Sequence, residues 1–95
     1  MPSTPFDGPA LRATYNITSS TLVKLGPGRA YTISVIVAGT TVGTINDCAT
    51  TGAAAVGNQI GVAPNAVGLL YPDWPFATGL VVVPGTGQTL AVSHT

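Results

Sequence analysis

Charge is what this sequence has least of. Among 95 residues three are basic (Arg12, Lys24, Arg29), three are acidic (Asp7, Asp47, Asp73) and none is glutamate. Charged residues make up 6% of the chain, against about 25% in an ordinary soluble domain. No basic cluster is present to neutralise phosphates, which removes the electrostatic footing for nucleic-acid binding. The aspartates are far apart in the chain, so no carboxylate pair is set up for acid–base work. The single cysteine, Cys48, excludes an internal disulfide and fits a chain made in a reducing cytosol. No apolar run reaches the ~20 residues of a membrane helix. The opening stretch MPSTPFDGPA lacks the charged and apolar regions of a secretory signal. Cofactors, metals, nucleic acid and a membrane are therefore not expected.

What is present is the material of short strands and tight turns. Val, Ile and Thr supply roughly a third of the chain, the composition of pleated, half-buried surfaces, and 12 glycines and eight prolines punctuate it. Residues 1–11 hold three prolines and no period and read as an extended N-terminal arm, with Phe6 and Leu11 as its apolar points. Residues 12–95 read as a single β domain. Strand patterns run over 12–18, 21–25, 29–38, 42–46, 59–63, 66–70, 79–83 and 88–93. In the first of these Ala13, Tyr15 and Ile17 share a side, in the second Val23 and Leu25, and in the third Tyr31, Ile33, Val35 and Val37. Hairpins are predicted at Gly39-Thr40-Thr41 and at Pro84-Gly85-Thr86-Gly87. Residues 47–58 break the pattern and read as a long loop, in which Ala53–Val56 has room for one helical turn. Eight strands at short spacing predict an all-β fold, an eight-stranded jelly-roll-like β-sandwich, with a Greek-key β-barrel as the alternative.

Several residues invite a functional reading. In GLVVV (79–83), Leu80 and Val82 are expected to fill the core with Leu90 and Val92, which turns Val81 and Val83 the other way. Two outward valines predict an interface with another chain, unless that strand is central and covered on both faces by its own chain. Ile36 and Ala38 pose the same question. The segment YPDWPF (71–76) is a proline-stiffened aromatic loop. Trp74 in it either plugs one end of the sandwich, or makes a protein contact with Phe76, or stacks with Tyr71 on a carbohydrate or receptor ligand. Cys48 beside Asp47, with His94 distant in the chain, reads as a small apolar filler rather than a thiol nucleophile. His94 is expected to be solvated, and Asn16-Ile17-Thr18 reads as strand plus turn. The glycine-rich pieces at 26–29 and 85–88 open no helix and read as turns.

Six charges do not keep roughly 5,000 Å² of surface well solvated, and a net charge near zero favours association. A surface carried by Thr, Ser, Asn and Gly, and partly buried against other chains, is the expectation. The stretches RAYTISVIVAG (29–39), VGTINDCATTGAAAVGNQI (42–60) and ATGLVVVPGTGQTLAVS (77–93) resemble small all-β structural proteins of tailed-bacteriophage virions. That resemblance covers about half the chain and implies a non-enzymatic capsid decoration (cement) protein, or a head-spike or neck component. It further implies a homo-oligomer, typically a trimer, seated on the major capsid protein or other virion subunits, made in the host cytoplasm and located at the capsid surface or neck. The interface residues that follow are Pro5, Phe6 and Leu11 in the arm, with Val81, Val83, Trp74 and Phe76 in the domain.

Overall fold

A computed structural model describes residues 11–95. Nine strands follow one another along the chain: β1 (Arg12–Ile17), β2 (Thr21–Leu25), β3 (Gly28–Val37), β4 (Gly43–Asp47), β5 (Gln59–Ala63), β6 (Gly68–Leu70), β7 (Trp74–Phe76), β8 (Gly79–Val83) and β9 (Thr89–His94). They form two antiparallel sheets. The first has the order β1-β9-β3-β6, with β7 pairing the start of β3 beside β6; the second has the order β2-β8-β4-β5. Each sheet keeps its own edges, so the fold is an open sandwich and the barrel alternative is set aside. The strand not expected from sequence is β7. It pairs only with β3, and that edge position tolerates Pro75, which has no N–H to give.

Neither predicted hairpin forms. β3 lies in the first sheet and β4 in the second, and β8 and β9 are divided in the same way. Both turns are crossings between sheets, and they lie against each other. Thr40 N–H donates to Thr86 O at 2.9 Å, and Thr86 N–H donates to Thr41 Oγ1 at 2.8 Å. Gly85 sits so close to the Thr41 carbonyl that a Cβ has no space, which is why the turn needs glycine there. Gln88, 1% exposed, closes this end. Its Oε1 accepts Gly85 N–H and its Nε2 donates to Pro64 O, both at 2.9 Å. A buried amide satisfied at both ends costs the fold little.

Because the crossings turn both strands toward one interior, Leu80 and Val82 meet Leu90 and Val92 across the sandwich rather than along a hairpin. All four are buried, with Ile17, Ile33, Val35, Ile45 and Phe76 around them. Each such side chain contributes about 1.5–3 kcal/mol when fully buried. The period-2 rows are cut by β-bulges. One between Ala30 and Thr32 and another between Val35 and Val37 leave only Ile33 and Val35 of the expected β3 row inside, with Tyr31 and Val37 exposed. A bulge between Thr14 and Ile17, carrying Asn16 at φ 56°, buries Ile17 but leaves Tyr15 outside. A fourth, between Leu22 and Lys24, packs Val23 on the core while Leu25 stays exposed. One extra residue reverses which face every later side chain takes.

Two ionisable groups hold strand ends in place. The Asp47 carboxylate accepts the N–H groups of Ala77 (2.9 Å), Thr78 (2.8 Å) and Gly79 (3.3 Å), tying the end of β4 to the start of β8. Those hydrogen bonds, Ala77 first, hold its pKa below the usual carboxylate value. His94 is not solvated as expected: it is 4% exposed. Its Nε2 lies 3.3 Å from Thr14 Oγ1, and its Nδ1 has no partner among the described residues. Burial lowers its pKa, with Lys24 and Arg12 adding repulsion against a partial opposing effect of the Thr95 backbone.

Two predictions follow from these contacts. Asp47→Ala should destabilise the domain by about 1.5–2 kcal/mol, since it removes charge-assisted hydrogen bonds, read as a lower urea midpoint; Asp47→Asn should lose less. For His94 the folded state disfavours the proton that the unfolded chain takes up near pH 6.5. The stability it confers is therefore complete above that pH and declines as pH falls below it. Melting temperatures should drop from pH 7.5 to pH 5 in the native chain, and His94→Leu should flatten that slope.

Candidate functional site

The aromatic segment divides between inside and outside. Alternation along β7 puts Trp74 and Phe76 on one side, paired with Ala30 and Gly28. Phe76 is 3% exposed and Trp74 53%. Phe76 is thus the plug, and Trp74 is not. Phe76 rests on Gly28, where an added Cβ would stand 2.7 Å from Phe76 Cζ. With its ring in the core, Phe76 is withdrawn from the expected interface. Asp73, at φ 44°, turns the chain into β7. Its N–H reaches Tyr31 O at 3.4 Å, and Arg29 Nε donates to its Oδ1 at 2.6 Å. Both partners are about half exposed, so the pair adds at most about 1 kcal/mol; it pins the loop to β3. Tyr71, exposed, follows the end of β6, whereas Trp74 lies on the Ala30 side of β7.

The expected valine seam also changes place. Val81 is fully buried and Val83 half-buried, although both do point away from the sandwich core. Their face is covered from within the chain. The segment after β4 runs through two 3-10 turns, Thr51–Ala53 and Val56–Asn58, and the first packs on β8. Ala54, Ala55 and Val56 stand across a shallow cleft of about 220 Å³ from Thr44, Asn46, Gln59 and Val83. Small side chains let this segment lie close to the sheet, and Asn46 Nδ2 donates to Val81 O (3.3 Å) and Thr44 Oγ1 (3.1 Å) beneath it. Cys48, at the start of the same segment, is buried and its Sγ donates to Thr50 O at 3.4 Å. Asp47, Cys48 and His94 each keep separate partners and are not brought together.

Among the described residues, the outer side of the first sheet is exposed, as are Leu22, Leu25 and Val62 on the outer side of the second. Register places Ala13 beside Ser93, Ser93 beside Thr32 and Ala91 beside Ser34, and Ser34 beside Leu69. Thr32, Ser34, Ala91 and Ser93 are half-buried and form a floor of small side chains. On the β6 side rises an apolar row: Val67 (70% exposed), Leu69 (52%) and Tyr71 (72%), with Ile36 (54%) next to it on β3. Tyr15, 75% exposed, stands on the β1 side. No charged side chain belongs to these rows; the Arg29–Asp73 pair closes one end. Ile36 is thus outward as expected, while Val67 and Leu69 were not singled out from sequence. Their alternation in AVGLLY (66–71) was readable, but which half of it faces water was not. Leu11, exposed, precedes β1; Pro5 and Phe6 lie outside the described residues. No protein-family model, curated protein or solved structure matches the chain.

The division of the aromatic segment is testable by paired substitutions. Phe76→Ala should cost about 3–5 kcal/mol, whereas Trp74→Ala should cost less than about 1 kcal/mol, both read from chemical denaturation.

Proposed function

We propose that this protein is a non-enzymatic structural subunit that stabilises a larger assembly by packing against copies of itself and against other subunits. The observation that carries this is the outer face of the first sheet: among the described residues it is charged only at the Arg29–Asp73 end and bears exposed Ile36, Val67, Leu69 and Tyr71, on a chain with 6% charged residues. Such a patch is a poor solvent surface and a good contact. Each contact is weak alone and becomes strong when many are made on one scaffold. The sequence resemblance gives the setting: a capsid decoration or cement protein of a tailed-bacteriophage virion, a homo-oligomer of the trimer type bound to the major capsid protein. The strand order supports a jelly-roll-like subunit, since every connection except β4–β5 and β6–β7 passes from one sheet to the other. A second reading, a carbohydrate- or receptor-binding module, is favoured by Trp74, half exposed on a proline-stiffened strand close to the Arg29–Asp73 pair.

Mass spectrometry of purified particles of the phage encoding this chain, together with co-sedimentation of the purified protein with those particles, tests the assembly role. The chain should appear in the particle and pellet with it. A chain missing from particles and left in the supernatant would overturn the role.

A further inference from the structure

Strand β1 is weakly secured at its start. It pairs only with β9. A bulge separates its first three ladder pairs, Arg12 with His94, Ala13 with Ser93 and Thr14 with Val92, from the pair of Ile17 with Leu90. Ile17 is its one buried side chain; Arg12 and Ala13 are exposed and Thr14 is half-buried. Among the described residues, the side-chain hydrogen bond that reaches this first half comes from the His94 ring, whose Nε2 lies 3.3 Å from Thr14 Oγ1. A segment with so little buried apolar area opens at less cost than the whole domain.

The ring that makes this contact is poorly placed to carry a charge. His94 is 4% exposed, and its Nδ1 has no partner among the described residues. A protonated ring has two N–H donors. Thr14 Oγ1 accepts one of them, which leaves the other buried and unmet. The charged groups nearest the ring are cations. Arg12 faces it across the β1–β9 ladder, and Lys24 reaches in from β2, its Nζ donating to Thr95 O at 2.7 Å. On β3, Arg29 adjoins Ala30, the register partner of His94, and is paired with Asp73 at 2.6 Å. Asp47, on the second sheet, is held by the N–H groups of Ala77, Thr78 and Gly79. Burial first, then Lys24 and Arg12, lower the affinity of the ring for a proton, with the Thr95 backbone opposing in part.

We propose that His94 is an acid-sensitive latch: when its ring takes a proton, the Arg12–Thr14 half of β1 comes off β9 while the rest of the sandwich stays folded. Opening there lets water reach the ring and accept the Nδ1 proton, and it carries Arg12 away. The freed backbone groups lie at a sheet edge, where water satisfies them. The other side of β9 offers no such relief, because β3 is anchored by buried Ala30, Ile33 and Val35. What opening uncovers is the backbone edge of β9 from Val92 to His94. The latch is closed above the ring's ordinary value of 6.5 and loosens as pH falls below it, by at most about tenfold per pH unit, since opening takes up one proton. This goes beyond the loss of overall stability in acid, and it is independent of the assembly role.

Amide hydrogen exchange on the full chain tests the latch, with protection expressed against the unfolded-chain rate at each pH. At every pH the ladder amides of residues 12–14 should be protected at least about tenfold less than those of Leu80–Val82, the mark of local opening. From pH 7.5 to pH 5 their protection should fall by about tenfold. His94 is the only histidine of the chain, so His94→Gln should keep the gap between the two sets of amides and remove the fall. His94→Leu, which replaces the ring by an apolar side chain, should do the same and serves if the glutamine variant does not fold. Protection at 12–14 that is insensitive to pH, or that equals the protection of Leu80–Val82 throughout, would overturn the proposal. So would a fall that persists in the folded His94 variants.

Discussion

Strand β8 is buried on both sides, and the remaining elements are arranged to make that possible. It sits between β2 and β4, with Leu80 and Val82 in the sandwich core and Val81 equally sealed on the other face. A strand apolar on both sides needs two covers. The first sheet supplies one, through Leu90, Val92, Ile33 and Val35. The segment from Cys48 to Asn58 supplies the other, and it is rich in Ala, Thr and Gly, whose small side chains let it lie close to the sheet. Asp47, which fixes the entry to β8 through three backbone N–H groups, also begins that segment. Core, cover and anchor therefore meet in a few residues.

The same economy explains the surface. The segment after β4 covers Val81, but Leu22, Leu25 and Val62 on the same sheet and Val67, Leu69 and Tyr71 on the first stay exposed, so the scarcity of charge is felt on both sheets. There the bulges and short edge strands prevent growth by added strands, and the hydroxyls of Thr32 and Ser93 satisfy each other. What remains is a face built of small residues with one apolar row, closed at one end by the Arg29–Asp73 pair.

Much of the fold was legible. Strands at the eight expected places, turns at glycine and proline, and the burial of Leu80, Val82, Leu90 and Val92 all followed from alternation and β-branched composition. The partners of those strands were not legible. Gly39-Thr40-Thr41 and Pro84–Gly87 carry the residues of hairpin turns, yet both serve as crossings, because local turn chemistry does not say whether the next strand returns alongside or passes over the core. The site was less legible still. Of the two readings of Val81, a seam or a strand covered on both faces by its own chain, the second holds; Phe76 took the buried place that was one of the readings of Trp74; Val67 and Leu69 emerged as an exposed row.

By itself the sequence determined the class of fold and the scarcity of ionised groups, since these depend on composition and on spacing between near neighbours. The tertiary structure alone decided which faces are covered. A bulge of one residue exchanges inside for outside along a strand, and a cover such as 48–58 reaches its sheet through contacts distant in sequence. Neither leaves a mark in local pattern, and so the choice between Val81 and Leu69 as the exposed apolar residue belonged to the packed chain.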